Sequence, residues 1–239
     1  MIINAENIKS DDLNTAIRNA KGNIELLNVC GQRFIATGMQ DKRIIINGIP
    51  GNALGAYLNG GKINVKGNAQ DAVGDTMNAG EIIIHGNIGD AAGYAMRGGS
   101  IFVKGNAGYR TGIHMKAYKE KVPLIVIGGT AGSFLGEYQA GGVIVVFGLN
   151  KKNKRIVSNF PGTGMHGGKM ILRSDCKNII FPKQVSVNPA TTEELEEIKK
   201  IAEKYCNFFD EDINNIMNSP FTIITPNSNN PYKQLYVTN

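Results

Sequence analysis

The chain has 239 residues, of which 30 are glycine and none is tryptophan, and its net charge at pH 7 is +6. Its apolar runs are only a few residues long, and "MIINAENIKSDD" lacks the basic start and apolar stretch of a signal peptide, so we expect a cytoplasmic protein that does not enter a membrane. The one dense basic run, "KKNKR" at 151–155, is interpreted as a solvated loop; it has no interleaved aromatic residues, and we expect no nucleic-acid partner.

The N-terminal segment, residues 1–22, predicts a cap with one short helix. Ser10 stands in the N-cap position, Asp11 and Asp12 give an acidic first turn, and Gly22 follows the helix. We therefore expect a helix over about 11–20 that covers an open end of the domain that follows.

A repeat of 19 residues fills the centre of the chain. Lines such as "INVKGNAQDAVGDTMNAGE" begin at 44, 63, 82 and 101, and after a four-residue insertion near "EKVP" they begin again at Leu124 and Val143. "IELLNVCGQRFIATGM" reads as a degenerate first coil, and a stretched last coil closes with "GTGMHGG". Each line opens with a short alternating strand, and one-strand units must stack to cover their apolar faces. The repeat predicts an all-β fold: a single-stranded, right-handed parallel β-helix of six to seven coils over residues 23–175, with short flanking α-helices.

Equivalent residues of successive coils form columns. Gly86, Gly89 and Gly93 have the same spacing as Gly105, Gly108 and Gly112, which indicates corners where a side chain would clash with the coil below. Leu58, Met77, Met96, Met115 and Met165 predict a core column, since methionine fills irregular gaps. Asn68, Asn87 and Asn106 predict a ladder of hydrogen bonds along the axis.

The strands also predict which side chains point outward. If the first and third residues of each line face the core, the second and fourth face out, as in Ile45/Asn47, Asn64/Lys66, Ile83/His85 and Phe102/Lys104. This mixed surface can face water. In the next two coils the outward residues are all apolar: Ile125, Ile127, Ile144 and Val146. Either the C-terminal helix of the chain or a second subunit must cover this stripe.

Residues 176–239 predict a C-terminal helix and an extended tail that packs on the β-helix. Thr191 and Glu194 form a capping box, and Leu195, Ile198, Ile201, Ala202 and Tyr205 follow at helical spacing. The tail, "PFTIITPNSNNPYKQLYV", contains prolines and a few apolar residues.

The sequence gives little support for chemistry within this chain. It has neither a GxGxxG fingerprint in the right context nor a GxxxxGK[ST] phosphate loop. Cys30, Cys176 and Cys206 are widely separated and indicate reduced thiols. His85 is expected to be solvated, whereas His114 and His166 could line a groove. We predict no catalytic residue, no cofactor-binding residue and no metal ligand.

The coils from about Ile44 to Arg173 resemble the glycine-repeat domain at the C-terminus of the glutamate synthase large subunit. "GNAGYRTGIHMK", "GEYQAGGVIVVFG" and "GTGMHGG" carry the resemblance, and the separate chain is more similar to stand-alone archaeal-type versions of that domain. The related β-helix subunit of formylmethanofuran dehydrogenase has similar G-x-M-x-G-G coils. Arg110, Glu137, Tyr138 and His166 match recurrent motif positions, which we interpret as turn-stabilising.

This resemblance implies a non-catalytic scaffold subunit of a glutamate synthase. Its partners would be a class II glutaminase subunit and a subunit that holds FMN and an iron–sulfur cluster, and this chain would itself bind no cofactor. The alternative is the β-helix subunit of a formylmethanofuran dehydrogenase, a molybdenum or tungsten enzyme. The electron donor, the stoichiometry and the product, glutamate or an analogue, stay open.

Overall fold

The structure is a computed structural model, and it describes residues 1–149, 151 and 155–228. Its elements in chain order are β1 (Ile2–Asn4), α1 (Ser10–Asn19), β2 (Ile24–Cys30), β3 (Arg43–Ile49), β4 (Asn59–Val65), β5 (Ala79–Ile84), β6 (Ser100–Val103), β7 (Leu124–Ile127), β8 (Ala140–Val146), β9 (Gly167–Leu172), β10 (Val185–Pro189), α2 (Thr192–Phe209), α3 (Ile213–Met217) and β11 (Thr222–Pro226). Within those ranges, no helix has the length and apolar character needed to cross a membrane.

One sheet of eleven strands runs through the molecule in the order β1-β2-β3-β4-β5-β6-β7-β8-β9-β11-β10. The strands from β1 to β9 are parallel, and β11 and β10 continue the sheet antiparallel. Ile44 pairs with Ile63, Ile63 with Ile82, and Ile82 with Ile101, so each step along the sheet is one 19-residue coil. The β-solenoid is therefore confirmed. It has about eight turns, one for each strand from β2 to β9, which is slightly more than the six to seven expected.

The insertion before β7 changes which residues face the core. Ile101 pairs with Ile125 and Phe102 with Val126, so 24 residues separate equivalent positions instead of the 23 that the four-residue insertion implied. A one-residue shift turns every side chain of a strand to the opposite face. The predicted outward stripe is consequently wrong: Ile125, Ile127, Ile144 and Val146 lie inside the solenoid, in its main hydrophobic core. A turn in which Tyr118 and Lys121 exchange both backbone hydrogen bonds takes up the extra residue.

Glycine at the corners avoids a clash with the core. Gly93 and Gly112 have φ of 68° and 75°, and a β-carbon at either position would lie 2.3 or 2.5 Å from the Cδ1 atom of Ile125 or Ile144. An L side chain rarely adopts this conformation, and here it would also overlap packed side chains. The column of Leu58, Met77, Met96, Met115 and Met165 is buried in the core, as predicted.

Two ladders of polar side chains run along the solenoid. In the predicted one, the Oδ1 atoms of Asn68 and Asn87 accept the backbone N–H of the residue one coil further on, Asn87 and Asn106, at 2.8 and 2.7 Å. A second ladder was not predicted: Asp71 Oδ1 accepts from Asp90 N at 2.9 Å, and Asp90 Oδ1 accepts from Tyr109 N at 2.8 Å. Both ladders satisfy backbone donors at bends, where no strand partner is available.

Helix α1 packs on the first coil through Leu13 and Ile17, which are both fully buried. It begins at Ser10, one residue earlier than predicted, and Lys9 occupies the N-cap position without a side-chain cap. The hydroxyl of Ser10 instead accepts a hydrogen bond from the backbone N–H of Arg33 at 3.0 Å. The serine thus fastens the helix to the solenoid and does not cap it.

Helix α2 covers the outer face of the sheet. Its capping box forms as predicted, with Thr191 Oγ1 accepting from Glu194 N and Glu194 Oε2 accepting from Thr191 N. Its apolar face packs against residues that point out of the sheet; this second core contains Ile83, Phe102, Val126, Val145, Phe147, Ile198, Ala202, Tyr205 and Phe209. An outward apolar stripe therefore exists, and the chain's own C-terminal helix is its lid. The expectation that Ile83 and Phe102 face water is wrong, since both are buried under α2.

Part of the C-terminal tail forms β11, which pairs with β9 and extends the sheet. The rest of that prediction, residues 229–239, lies outside the described residues, and so do residues 152–154 of the predicted basic loop.

Candidate interaction surface

The corners opposite the sheet share one backbone pattern. In each coil three alternate residues have positive φ, for example Arg110 (57°), Gly112 (75°) and His114 (55°). The N–H of Arg110 donates to Ser133 O and the N–H of His114 donates to Glu137 O, each at 2.9 Å, so the corners of successive coils stack directly. Side chains at the first and third positions of the pattern, such as Arg110 and His114, therefore recur at nearly the same place on this edge in each coil.

Aromatic side chains line this edge in the later coils. We define the aromatic edge by six residues: Tyr94, Tyr109, His114, Phe134, Tyr138 and Phe160. In one row the ring centroids of Tyr94 and His114 are 5.9 Å apart, and those of His114 and Tyr138 are 5.2 Å apart with their planes 8° from parallel. In the other row, Tyr109, Phe134 and Phe160 follow at 5.4 and 5.1 Å. These distances are close to the rise between parallel strands, about 4.8 Å, because each coil contributes one ring to the row.

An ion pair lies between the two rows. Arg110 Nε lies 2.7 Å from Glu137 Oε2, and the Glu137 side chain is 7% exposed. The guanidinium carbon of Arg110 is also 4.8 Å from the Tyr109 ring centroid and 5.7 Å from that of Phe134. A cation over aromatic faces stabilises their arrangement. The pair therefore holds Arg110 and the rings of neighbouring coils in place.

Tyr138 and His166 both contact the corner at Gly164, Tyr138 from the preceding coil and His166 from the same coil. A β-carbon at Gly164 would lie 2.4 Å from Tyr138 Cδ1, so the tyrosine ring packs directly over this glycine. His166 Nδ1 lies 3.0 Å from the carbonyl oxygen of Gly164. His166 lines an open groove of about 740 Å³, whose walls are largely the glycine pairs Gly141–Gly142 and Gly167–Gly168. The groove presents mainly backbone and aliphatic surface, and its one ammonium group, that of Lys169, is paired with Glu197 at 2.5 Å.

His85 is on the opposite side of the molecule from the aromatic edge. It points out of the sheet as expected, but its ring packs edge-on against Phe209 of α2 at 5.3 Å and is half-buried. Burial, followed by the nearby charges of Lys66 and Lys104, lowers the pKa of His85 below its usual 6.5. The prediction of a simply solvated histidine is therefore wrong.

The cysteines are all free thiols, and burial raises the pKa of Cys176 and of Cys206. Among residues 1–149, 151 and 155–228, no group of three or more His, Cys, Asp or Glu side chains is placed to hold a metal ion. The feature of the described surface that stands out is thus the aromatic edge. Sequence reasoning selected only His114 and Tyr138 from its six residues.

A model of the GXGXG motif matches residues 3–227. The chain belongs to the GXGXG motif family. Over 221 residues it is 48% identical to a protein of Methanocaldococcus jannaschii named as uncharacterized, and the match covers 89% of this chain and 85% of the relative.

Among solved structures, the GXGXG chain is similar to one in a formyltransferase/hydrolase complex from Methylorubrum extorquens, determined with methylofuran bound. The TM-score is 0.62, the identity is 18%, and the match covers 92% of this chain and 88% of the other. At this identity the similarity establishes the β-solenoid fold, in agreement with the family membership.

Proposed function

We propose that this GXGXG chain is a non-catalytic structural subunit of a glutamate synthase. In this role it holds a class II glutaminase subunit and a subunit with FMN and an iron–sulfur cluster at a fixed distance and orientation. The family membership and the resemblance of the coils from Ile44 to Arg173 to the glutamate synthase domain support the assignment. FMN and the cluster belong to the partner in this proposal, and no catalytic residue is assigned to this chain.

The observation that carries the proposal is an exposed row of aromatic rings on a continuous, hydrogen-bonded solenoid. A parallel sheet with coil-to-coil hydrogen bonds at its corners keeps its length and twist, which suits a spacer between two enzymatic parts. Phe160 and Tyr138 stay 60% and 39% exposed in this chain alone. Clustered exposed aromatic residues are typical of surfaces that another protein covers.

Purification of the tagged chain from its native source tests this role. We expect a glutaminase and a flavoprotein to co-purify in constant ratio, and the complex to form glutamate from glutamine and 2-oxoglutarate when a reductant is supplied. Flavin absorbance should follow the complex and should be absent from the separated chain. A complex that contains neither a glutaminase nor a flavoprotein would refute the proposal.

A second candidate function is the β-helix subunit of a complex of the formylmethanofuran dehydrogenase type. The structural similarity to a chain of the formyltransferase/hydrolase complex favours it. In the same purification this candidate predicts a molybdopterin-containing partner, and metal analysis would then detect molybdenum or tungsten in place of flavin.

A further inference from the structure

The aromatic edge remains open, in contrast to the apolar outer face of the sheet. On the sheet side, α2 buries Ile83 and Phe102 almost completely. On the corner side, none of the helices in the described ranges packs on the rings, and Tyr94, Tyr109, Tyr138 and Phe160 are between 37% and 60% exposed. The rings are fixed against one another, so binding to them would cost little side-chain entropy. Tyrosine, phenylalanine and arginine are also the residue types enriched where interfaces gain most of their affinity.

Basic side chains border this edge. Arg97 and Lys116 follow the core residues Met96 and Met115, and Lys116 N donates to Met96 O at 3.0 Å, so the two cationic residues belong to stacked coils beside the row of Tyr94 and His114. Neither forms an ion pair among the described residues. Arg97 Nε is buried and has no hydrogen-bond partner among the residues that the structure describes. Lys119 and Lys121 in the adjacent insertion add positive charge, opposed there only by Glu120.

We propose that the aromatic edge is the docking surface for a protein partner with an apolar centre and an acidic rim. Carboxylates of the partner would meet Arg97 and Lys116, while its apolar side chains would cover the rings of Tyr138 and Phe160. Complementary charge at a rim mainly sets partner choice and association rate, and the apolar centre supplies most of the affinity. This inference rests on the proposed structural role only in assuming that the chain has a protein partner.

Charge argues against a second copy of this chain as the occupant. Each copy carries a net charge of +6 at pH 7, and in a symmetric pair the same surface meets itself. Both contacting surfaces would then carry the same excess of positive charge, from Arg97, Lys116, Lys119 and Lys121 against Glu120. Like charges placed opposite each other across an interface disfavour the pairing.

Two double variants test whether the partner binds the aromatic edge specifically or binds exposed aromatic residues in general. Tyr138→Asn with Phe160→Asn removes one exposed ring from each row of the aromatic edge. Tyr57→Asn with Phe34→Asn is the matched control, because these residues are 54% and 55% exposed and have nearly the same positive φ in earlier coils, away from the stacked rows. Asparagine tolerates positive φ, so both variants should fold, which circular dichroism and thermal melting would check.

The tagged full-length variants are expressed in the native source, and each co-purifying protein is identified, purified and titrated against this chain. We expect the edge variant to lose its partner, with Kd raised at least 100-fold, and the control variant to bind within twofold of wild type. Arg97→Glu with Lys116→Glu should raise Kd at least tenfold at low salt and reduce the salt dependence of binding. The identified partner should present carboxylates in the contact.

Three results would overturn the inference: equal binding by the edge variant and the control, a partner surface without carboxylates, or a wild-type homodimer that the edge variant abolishes. The last result would identify a second copy as the occupant. The outcome is separable from the proposed function. If the edge variant loses its partner and the wild-type complex contains neither a glutaminase nor a flavoprotein, the docking surface stands and the glutamate synthase role falls. If both of those subunits bind the edge variant normally, the role stands and the docking surface falls.

Discussion

Lys204 on α2 places its ammonium group 2.5 Å from Glu81 Oε2 on β5, and Lys62 on β4 approaches the other oxygen of the same carboxylate at 3.0 Å. Lys204 also lies over the Phe102 ring, 5.1 Å from its centroid. One carboxylate therefore joins two strands of the sheet to the helix that covers them.

Replacing this carboxylate should loosen α2. We expect Glu81→Gln to lower the free energy of unfolding by about 1–2 kcal/mol, between the values typical of exposed and of buried pairs, because two ammonium groups lose their partner in a half-buried site. Chemical denaturation at pH 7 measures the change. Lys177→Gln, at a largely exposed pair with Asp175, is the control and should change stability by less than about 0.5 kcal/mol.

The pH dependence of the Glu81 variant has a defined sign. Burial alone would raise the pKa of Glu81, but hydrogen bonds and charge from Lys204 and Lys62 outweigh it, and the pKa lies below its usual 4.5. The ionised carboxylate thus stabilises the fold at and above pH 4.5, and this contribution is lost as the pH falls through the lowered pKa. The stability difference between wild type and Glu81→Gln should therefore shrink in acid. A difference independent of pH down to the acid-unfolding region would contradict this account.

Phe102 should be essential to the packing of α2. We expect Phe102→Ala to lower the free energy of unfolding by about 3–5 kcal/mol, since the ring is fully buried and its removal leaves a cavity under the helix. Phe160→Ala, on the aromatic edge, should cost less than about 1 kcal/mol in the isolated chain. Denaturant titrations compare the two. Equal losses would mean that α2 does not cover the sheet as described.

The corner glycines give a third test of stability. Gly93→Val and Gly112→Val should each destabilise the protein by more than about 2 kcal/mol, because positive φ and the overlap with Ile125 or Ile144 act together. Lys66→Ala, at an exposed outward position, should stay within about 0.5 kcal/mol. Thermal melts of the three variants are sufficient. A tolerated valine at either corner would show that the coil can open there.

The repeat could be predicted from sequence wherever coils follow one another without interruption. Between Ile44 and Val103 a fixed period of 19 places each isoleucine on its neighbour, so register and core follow directly. The period fails at the insertion before β7, because "LIVI" is apolar at all four positions and alternation cannot show which two face inward. The structure resolves this through the turn at Tyr118 and Lys121, whose length the sequence pattern does not reveal.

The aromatic edge was hidden from sequence reasoning for a related reason. Tyr109, Phe134 and Phe160 are separated by 25 and 26 residues, not by 19, since insertions lie between them. Tyr109 also occupies the position just before the one that Phe134 and Phe160 share. Only the corner conformation, with positive φ at Phe134 and Phe160, shows that these rings leave the solenoid on one side. The sequence also left open whether the C-terminal helix or a second subunit covers the outer face of the sheet, and in the structure α2 covers it.

The isolated chain should carry no flavin, metal ion or iron–sulfur cluster. Its sequence has no phosphate-binding loop, and side chains that could hold a metal are not clustered within the described ranges. Absorbance spectra and metal analysis of the purified chain measure this directly. Stoichiometric FMN, or one metal ion per chain, would require a binding site that we do not assign.

His85 should make stability depend on pH near neutrality. Its ring faces Phe209, its Nε2 atom lies 3.5 Å from Lys66 Nζ, and Lys104, which is paired with Glu211, is the other nearby cation. The pKa of His85 is lowered in the folded state, so the unfolded chain takes up the proton first as the pH falls. The stability contributed by the neutral ring is complete above about pH 6.5 and is lost progressively towards the folded-state pKa. We expect wild type to lose stability as the pH falls below about 6.5, and His85→Gln to lose less over the same range. Urea denaturation at each pH compares them, with His114→Gln as a control on an exposed corner. If the free energy of unfolding changes with pH equally in all three proteins, the contact between His85 and Phe209 does not make the packing of α2 depend on pH.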